Sequence, residues 1–455
     1  MKYLEKKTEL TEKFRKKIVP LNDDELKAFL PETPLLSGMT ERKRLFTIEY
    51  TFFLFLWQTL SSASCLEAVQ KALLRLSFAV NRKASPSSSA YCQARSRLPE
   101  SFTAEKLSGT VAVLKSKVNE SLLWYGRNVN IVDGTTVSMA DTPENQSLYP
   151  QPISQKTGCG FPMMRILAVF SLASGALLSY EKGPLGVGES SMLKKIIFSF
   201  SPGDIMLGDR GFCSFALICD FIKSSVDAVV RMRVKMIRNY TVFKKIGRND
   251  SIIKWKRPAS LGKDLPGELY LRMIKYDIKL RGFRTQSVTV LTTLCDNTVF
   301  PAESFAELYL RRWHAEINLK HLKSTLGMDI LKCLSPNMIS KELMMHFIVY
   351  NLIRNIMLQA ACANSTPLKQ ISFKYSLTIT RMWTPWLLLC ETEKQEKLID
   401  AMLLYITESL IPDRPFRREP RAVKRRPKPY QLLTSHRHAF MEIQHIKKYR
   451  KNPLS

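Results

Sequence analysis

The alternation of apolar and polar residues changes character three times along the chain. Residues 1 to about 115 keep apolar positions at helical spacing and show few strand signals. Within them "SCLEAVQKALLRL" predicts an amphipathic helix. "NRKASPSSSAYCQARSRLP" then predicts a turn, candidate Ser N-caps at 87 to 89, and a second helix carrying Arg95 and Arg97. Helix, turn and basic helix together suit DNA recognition. The most apolar run, "YTFFLFLWQTL" from Tyr50 to Leu60, is short of the roughly 18 to 20 residues of a membrane span and predicts a core helix.

From about residue 120 the period shortens towards two. "NVNIVDG" predicts a short strand ending at Asp133, and "RILAVFSLASGALLSYE" two strands joined by an Ala-Ser-Gly turn. A helix follows in "GESSMLKKIIFSF" with Ser caps, then a strand in "DIMLGDRGF" that stops at Asp209. Next come a helix in "SFALICDFIKSS" and a strand in "DAVVRMR". The order is three strands, helix, strand, helix, strand, and two of the strands end in an acid. Residues from about 234 to 300 alternate at period two with Gly and Pro between runs, which predicts a small, basic, antiparallel β unit. Long helices return from about 303 to 365, and a further helical stretch reaches about 410.

One of those helices is unusually charged. In "AELYLRRWHAEINLKHLKSTLG", an advance of about 100° per residue puts Tyr309, Arg312, Glu316 and Lys323 within an arc of about 60°. Leu308, Leu319, Leu322 and Leu326 border this stripe on one side, and Leu310, Trp313 and Ile317 on the other. Two apolar borders predict a stripe held between buried flanks, with Arg311, His314, Asn318 and His321 on a wet far face. From Tyr309 to Lys323 the stripe would run about 21 Å, enough to follow several phosphates.

Charge sharpens the picture. The 69 Lys and Arg outnumber the 40 Asp and Glu, a net charge of +29 that points to a polyanionic partner, most simply nucleic acid. Towards the end of the chain, "DRPFRREPRAVKRRPKPYQLL" interleaves Arg414, Arg417, Arg418, Arg421, Lys424, Arg425, Arg426 and Lys428 with Pro, an extended basic arm suited to phosphates. Nine Cys stand singly, without C-x-x-C pairs, as reduced thiols of a cytosolic protein do. "MKYLEKKTELTEKFRKK" lacks the apolar segment of a secretion signal.

A charged stripe between buried flanks has a chemical use. Mg²⁺ takes carboxylate oxygens and retained waters, and two such ions about 4 Å apart can activate a water or a 3′-hydroxyl in phosphodiester exchange. Asp133, Asp209 and Glu316 would supply the carboxylates, Arg312 and Lys323 the phosphate contacts, and Tyr309 a hydroxyl or a stacking face. An isolated Asp-Gly at a strand end is ordinarily a turn, so the acids gain weight only together with the spaced tetrad. Asp141, Glu144 and Glu189 are further acids that no spacing distinguishes. His314 and His321, seven apart without acids or Cys on their face, read as surface histidines rather than zinc ligands.

The tetrad Y-x2-R-x3-E-x6-K, met here by Tyr309, Arg312, Glu316 and Lys323, resembles the signature of DDE transposases of the insertion-sequence-4 family. "IVDGTTVSMADTPEN" and "GDRGFCSF" resemble that family's two aspartate segments. The β insertion, "KSTLGMDILKCLSP" and "KELMMHFIVYNLIRN" fit as well, so the likeness covers roughly residues 40 to 430.

The resemblance implies an α/β fold: a ribonuclease-H-like catalytic core with an inserted antiparallel β subdomain, a helical N-terminal domain and a helical, basic C-terminal region. Its bounds would be 1–118 for the N-terminal DNA-binding domain, 119–233 and 301–370 for the core, 234–300 for the insertion and 371–455 for the C-terminal region. It also implies metal binding by Asp133, Asp209 and Glu316, with Mg²⁺ replaceable by Mn²⁺, and contacts from Tyr309, Arg312 and Lys323 to the element's ends. Trp255 in "IIKWKRP" is the candidate for holding a flipped base, against the ordinary role of a Trp in a β core.

The implied reaction is cut-and-paste transposition: cleavage at the ends of an insertion sequence, through a hairpin in some members, and joining of the 3′-hydroxyls to target DNA. A homodimer bridging two terminal inverted repeats, in a cytoplasmic, nucleoid-associated, prokaryotic setting without a membrane, completes it. The alternatives are a catalytically silent DNA-binding descendant and a ribonuclease-H-like nuclease that cuts without joining.

Overall fold

The computed structural model describes residues 45–80, 87–232, 240–278 and 286–412; the basic arm from 413 onward and residues 1–44 lie outside them. Four helices come first: α1 (Ile48–Ser61), α2 (Cys65–Val80), α3 (Ser89–Arg97) and α4 (Glu100–Ser116). Thr47 caps α1 by accepting the Tyr50 N–H, and one face of α1, with Tyr50, Leu54 and Phe55, is buried as the core-helix reading expects. No helix among the described residues is long and apolar enough to cross a membrane. The basic second helix is only half available to DNA. Arg97 is exposed, but the Arg95 guanidinium lies 4.7 Å over the Phe55 ring and is buried there.

The predicted run of strands and helices follows in order, with one short unpredicted helix, α5 (Pro143–Leu148), after the first strand: β1 (Val129–Met139), β2 (Met163–Ser171), β3 (Leu177–Pro184), α6 (Glu189–Lys195), β4 (Ile205–Gly208), α7 (Phe215–Lys223) and β5 (Asp227–Arg231). Gly175, at φ +72°, makes the β2–β3 turn that a side chain would strain. The N-cap of α6 is Gly188, so the serines behind it do not cap.

The antiparallel unit comprises β6 (Tyr240–Gly247), β7 (Asp250–Lys256), β8 (Glu268–Ile278) and β9 (Gln286–Thr292). It does not stand apart. β9 pairs with β5, so one sheet runs β3-β2-β1-β4-β5-β9-β8-β7-β6, with β10 (Ile330–Leu331) added beside the far half of β1.

Helices cover both faces, giving three layers. On one face Val129, Ile131, Ile205 and Leu207 join α8 (Ala302–Leu310), α9 (Trp313–Lys320) and the 28-residue α10 (Pro336–Ala363). On the other, Val132 and Met206 pack against α6 and α7. α11 (Phe373–Leu389) and α12 (Thr392–Glu408) close the first layer beside α10. Buried Asn351 of α10 ties it to its neighbours, accepting from the Leu177 N–H at 2.9 Å and donating to the Leu177 carbonyl and to Thr110 Oγ1. Fully buried Arg272 makes a bidentate pair with Asp250, at 2.9 and 2.6 Å, and donates at 2.6 Å to the Phe300 carbonyl. It thereby fixes the entry to α8.

Candidate active site

Strand register brings the sheet's contribution together. Ile131 of β1 lies opposite Leu207 of β4, which lies opposite Val229 of β5, all three strands being parallel. Two residues further on, on the same face by the period of two, come Asp133, Asp209 and Arg231. That face is the one roofed by α8, α9 and α10. β4 stops at Gly208, whereas β1 continues to Met139 and meets β10 only at Ser138. Asp133 is therefore inside a long strand, not at its end as the sequence suggested. It lies where β4 has left the edge of β1, the kind of opening in which α/β sheets bind ligands. Asp209 begins a tight turn, its Oδ1 accepting the Gly211 N–H at 2.6 Å.

The helical contribution is less regular than a single helix. α8 ends at Leu310, and the next bonds are of the i to i−3 kind, including Arg312 N–H to the Tyr309 carbonyl at 3.1 Å and Ala315 N–H to the Arg312 carbonyl at 3.0 Å. After α9 comes a π turn, His321–Thr325, closed by the Leu326 N–H on the His321 carbonyl. The wheel angles of an uninterrupted helix therefore hold locally but not across the stripe. Lys323 sits in the π turn itself, a type of irregularity frequent at functional sites.

The flanks also differ from expectation. Leu308, Leu319, Leu322 and Leu326 are buried as predicted, but Trp313 and Ile317 are 57% and 47% exposed. The predicted wet face turns inward: Asn318 is buried and accepts from Arg354, and the His321 ring stacks 4.5 Å from Phe373. Burial lowers the pKa of His321 to about 3 and also lowers that of His314. α10 and α11 pack where solvent was expected.

Arg312 joins the two halves of the site. Its guanidinium, 13% exposed, lies 2.9 Å from Glu316 Oε1 and 3.9 Å from Asp133 Oδ2. Burial pushes the Asp133 carboxyl up to about 6, against the pull of the Gly134 N–H and Arg312. Glu316 and Asp209 push it further the same way, so both other acids lie within range of the Asp133 charge.

Beside them a cavity of about 340 Å³ is lined by Asp209, Arg210, Arg231, Tyr309 and Arg312. Burial raises the Tyr309 phenol to about 12, so it stays a protonated donor at neutral pH. Arg210 and Arg231 were not singled out from sequence. The signal was available for Arg231, the last residue of β5, as Asp209 is the first beyond β4.

Trp255 is not available to a base in this arrangement. It is 5% exposed and meets Phe215 edge-on at 5.3 Å, a core residue between β7 and α7.

Three carboxylates are the right donors for a hard divalent cation. Among the described residues no three acidic, His or Cys side chains enclose an ion as they stand, and Arg312 pairs with both Asp133 and Glu316. The donor set fits such an ion in kind, and Arg312 supplies its counter-charge in this arrangement.

The fold brings acids and guanidiniums to one opening of the sheet. The family model described as "Transposase DDE domain" matches residues 124–352, half of the chain, and the chain belongs to that family. Among individual relatives, it is similar to the transposase InsG for insertion sequence element IS4 of Escherichia coli (strain K12), with 24% identity over 278 residues. That match covers 60% of this chain and 62% of the relative's length. A solved structure, the cryo-EM synaptic complex of piggyBac transposase with hairpin DNA, is matched over 83% of this chain and 80% of that one. The identity is 12% and the TM-score 0.34.

Proposed function

We propose that this chain is a DNA transposase that cleaves at the ends of an insertion sequence and joins the exposed 3′-hydroxyls to target DNA. The observation that carries the reading is the level shared by Asp133, Asp209 and Arg231 on one sheet face, with Glu316 held to Asp133 through Arg312. Asp133, Asp209 and Glu316 would hold Mg²⁺ or Mn²⁺, which when bound activates a water or hydroxyl and stabilises the leaving oxygen. Tyr309 donates its hydroxyl into the Arg-lined cavity, where Arg210, Arg231 and Arg312 bind backbone phosphates. Lys323 extends that contact along the duplex.

The basic arm beyond residue 412 and the N-terminal helices would hold the rest of the terminal repeat. Two copies would bridge two ends in a cytoplasmic complex on the nucleoid. The proposed division places a DNA-binding region before residue 119 and the core either side of the 234–300 strands.

The test is cleavage of DNA carrying the element's own ends, with Mg²⁺ and with EDTA, followed by strand transfer of precut ends. Asp133→Ala, Asp209→Ala and Glu316→Ala should each lower cleavage by at least about a thousandfold while end binding persists. Full cleavage by any one of them overturns the metal assignment, and cleavage without joining favours a plain nuclease.

A further inference from the structure

Of the acids that sequence left undistinguished, Asp141 and Glu144 are exposed, whereas Glu189 is half-buried against the aspartate segments. It is the first residue of α6, on the sheet face opposite Asp133. Gly134, next to Asp133, is what admits it. A Cβ at that position would stand 2.2 Å from Glu189 Oε1 and 2.6 Å from its Cδ. The neighbouring Ser190 donates through Oγ to the Gly211 carbonyl at 3.2 Å, and the Gly211 N–H is the group that holds Asp209. The start of α6 is thus wedged between both aspartate segments.

The Glu189 carboxylate makes no hydrogen bond or ion pair among the described residues. Arg165, whose Nη1 is engaged by the Val187 carbonyl at 2.7 Å, acts on it only at longer range, and Asp209 repels it. A half-buried carboxylate left in this way is costly unless a cation or a bound water completes it. Nearby acids are otherwise accounted for: Glu181 pairs with Lys195 at 3.0 Å.

We propose that Glu189 is a fourth carboxylate of the cation site, a positioning residue that would reach the ion through one of its retained waters. This rests on the site reading above. Mg²⁺ and Mn²⁺ keep several waters in such sites, and carboxylates that orient them typically govern affinity by about 10- to 100-fold. Gly134 then has a stated purpose. It keeps clear the space that the carboxylate occupies.

The experiment measures Mn²⁺ binding to the full chain by the paramagnetic resonance of free Mn²⁺, with metal-free melting as the fold control. Glu189→Gln, near in shape, should weaken Mn²⁺ about tenfold without lowering the metal-free Tm. Gly134→Ala should do the same by turning the carboxylate away while leaving it in the chain. The double variant should lose no more than either single one, because both remove one interaction. Unchanged Mn²⁺ affinity in Glu189→Gln, or additive losses in the double variant, overturns the proposal. Asp209→Asn separates the two readings. If it abolishes Mn²⁺ binding while Glu189→Gln leaves it intact, only the fourth carboxylate fails. If wild type binds no Mn²⁺, the site reading fails and this proposal with it.

Discussion

The strands and the helices bring their share of the site by different physics. On the strand side, position follows from counting: pairs at Ile131, Leu207 and Val229 dictate that Asp133, Asp209 and Arg231 share a level and a face. On the helix side counting fails, because the tightened turn at Arg311–Arg312 and the π turn at His321–Thr325 each change the angle per residue. A ladder held by neighbouring strands tolerates no slip, since one residue would turn every side chain to the other face. A helix roofing a sheet answers only to its own packing, and can yield wherever a buried Asn318 or His321 finds a better place.

The joint between the halves is the first place to break that comparison. Arg272 belongs to β8 but donates to the Phe300 carbonyl just before α8, and Asp250 neutralises it. Asp250→Ala leaves a fully buried guanidinium unpaired and should cost about 3–5 kcal/mol of stability, read from chemical denaturation. A loss below about 1 kcal/mol would show that the helical roof does not depend on this strand pair.

The two halves should also respond to pH in opposite directions when metal is absent. Asp133 is raised from 3.8 to about 6, so the folded state holds its proton longer than the unfolded chain and stability falls as pH rises between those values. His321 is lowered from 6.5 to about 3, so the unfolded chain takes the proton first and stability falls as pH drops through that window. His346, lowered to about 4 by burial, adds to the second slope. Asp133→Asn should relieve about 1–2 kcal/mol near pH 7, less than the full shift because part of the carboxyl is exposed, and nothing below pH 4. His321→Phe, which keeps the stack on Phe373, should flatten the acid-side slope. Differences of melting temperature from the parent across pH 4 to 8 read both, and parallel profiles would remove the contrast.

Legibility follows the same division. The order of strands and helices, the antiparallel strands and the spacing of the tetrad could be read because they are local patterns of period two or near 3.6. What depends on a partner in space could not. Arg95 reads as a DNA contact until Phe55 is seen beneath it, and Trp255 as a base platform until Phe215 is found at its edge. Glu189 looked equal to Asp141 and Glu144, since only the absent side chain of Gly134 separates them. The strand through Asp133 was ended too early because Asp-Gly usually marks a turn, whereas pairing with β2 carries it on to Ser138.

The smallest expected effect makes the finest test of the helical side. Arg312 and Lys323 share the sequence signature but not a situation. Arg312 is engaged by two carboxylates, whereas Lys323, half-exposed on the π turn, makes no ion pair among the described residues. A Lys whose only work is a phosphate contact should obey counterion release: Lys323→Ala weakens end binding about tenfold, lowers the salt slope by about one, and leaves metal-free melting unchanged. Arg312→Ala should lower binding too, but it also leaves Asp133 and Glu316 without their shared counter-charge, so metal-free stability must change with it. Equal changes in stability for the two variants would mean that the π turn holds Lys323 for folding. Equal changes in binding alone would mean that the Arg312 pairs with Asp133 and Glu316 give way once DNA arrives.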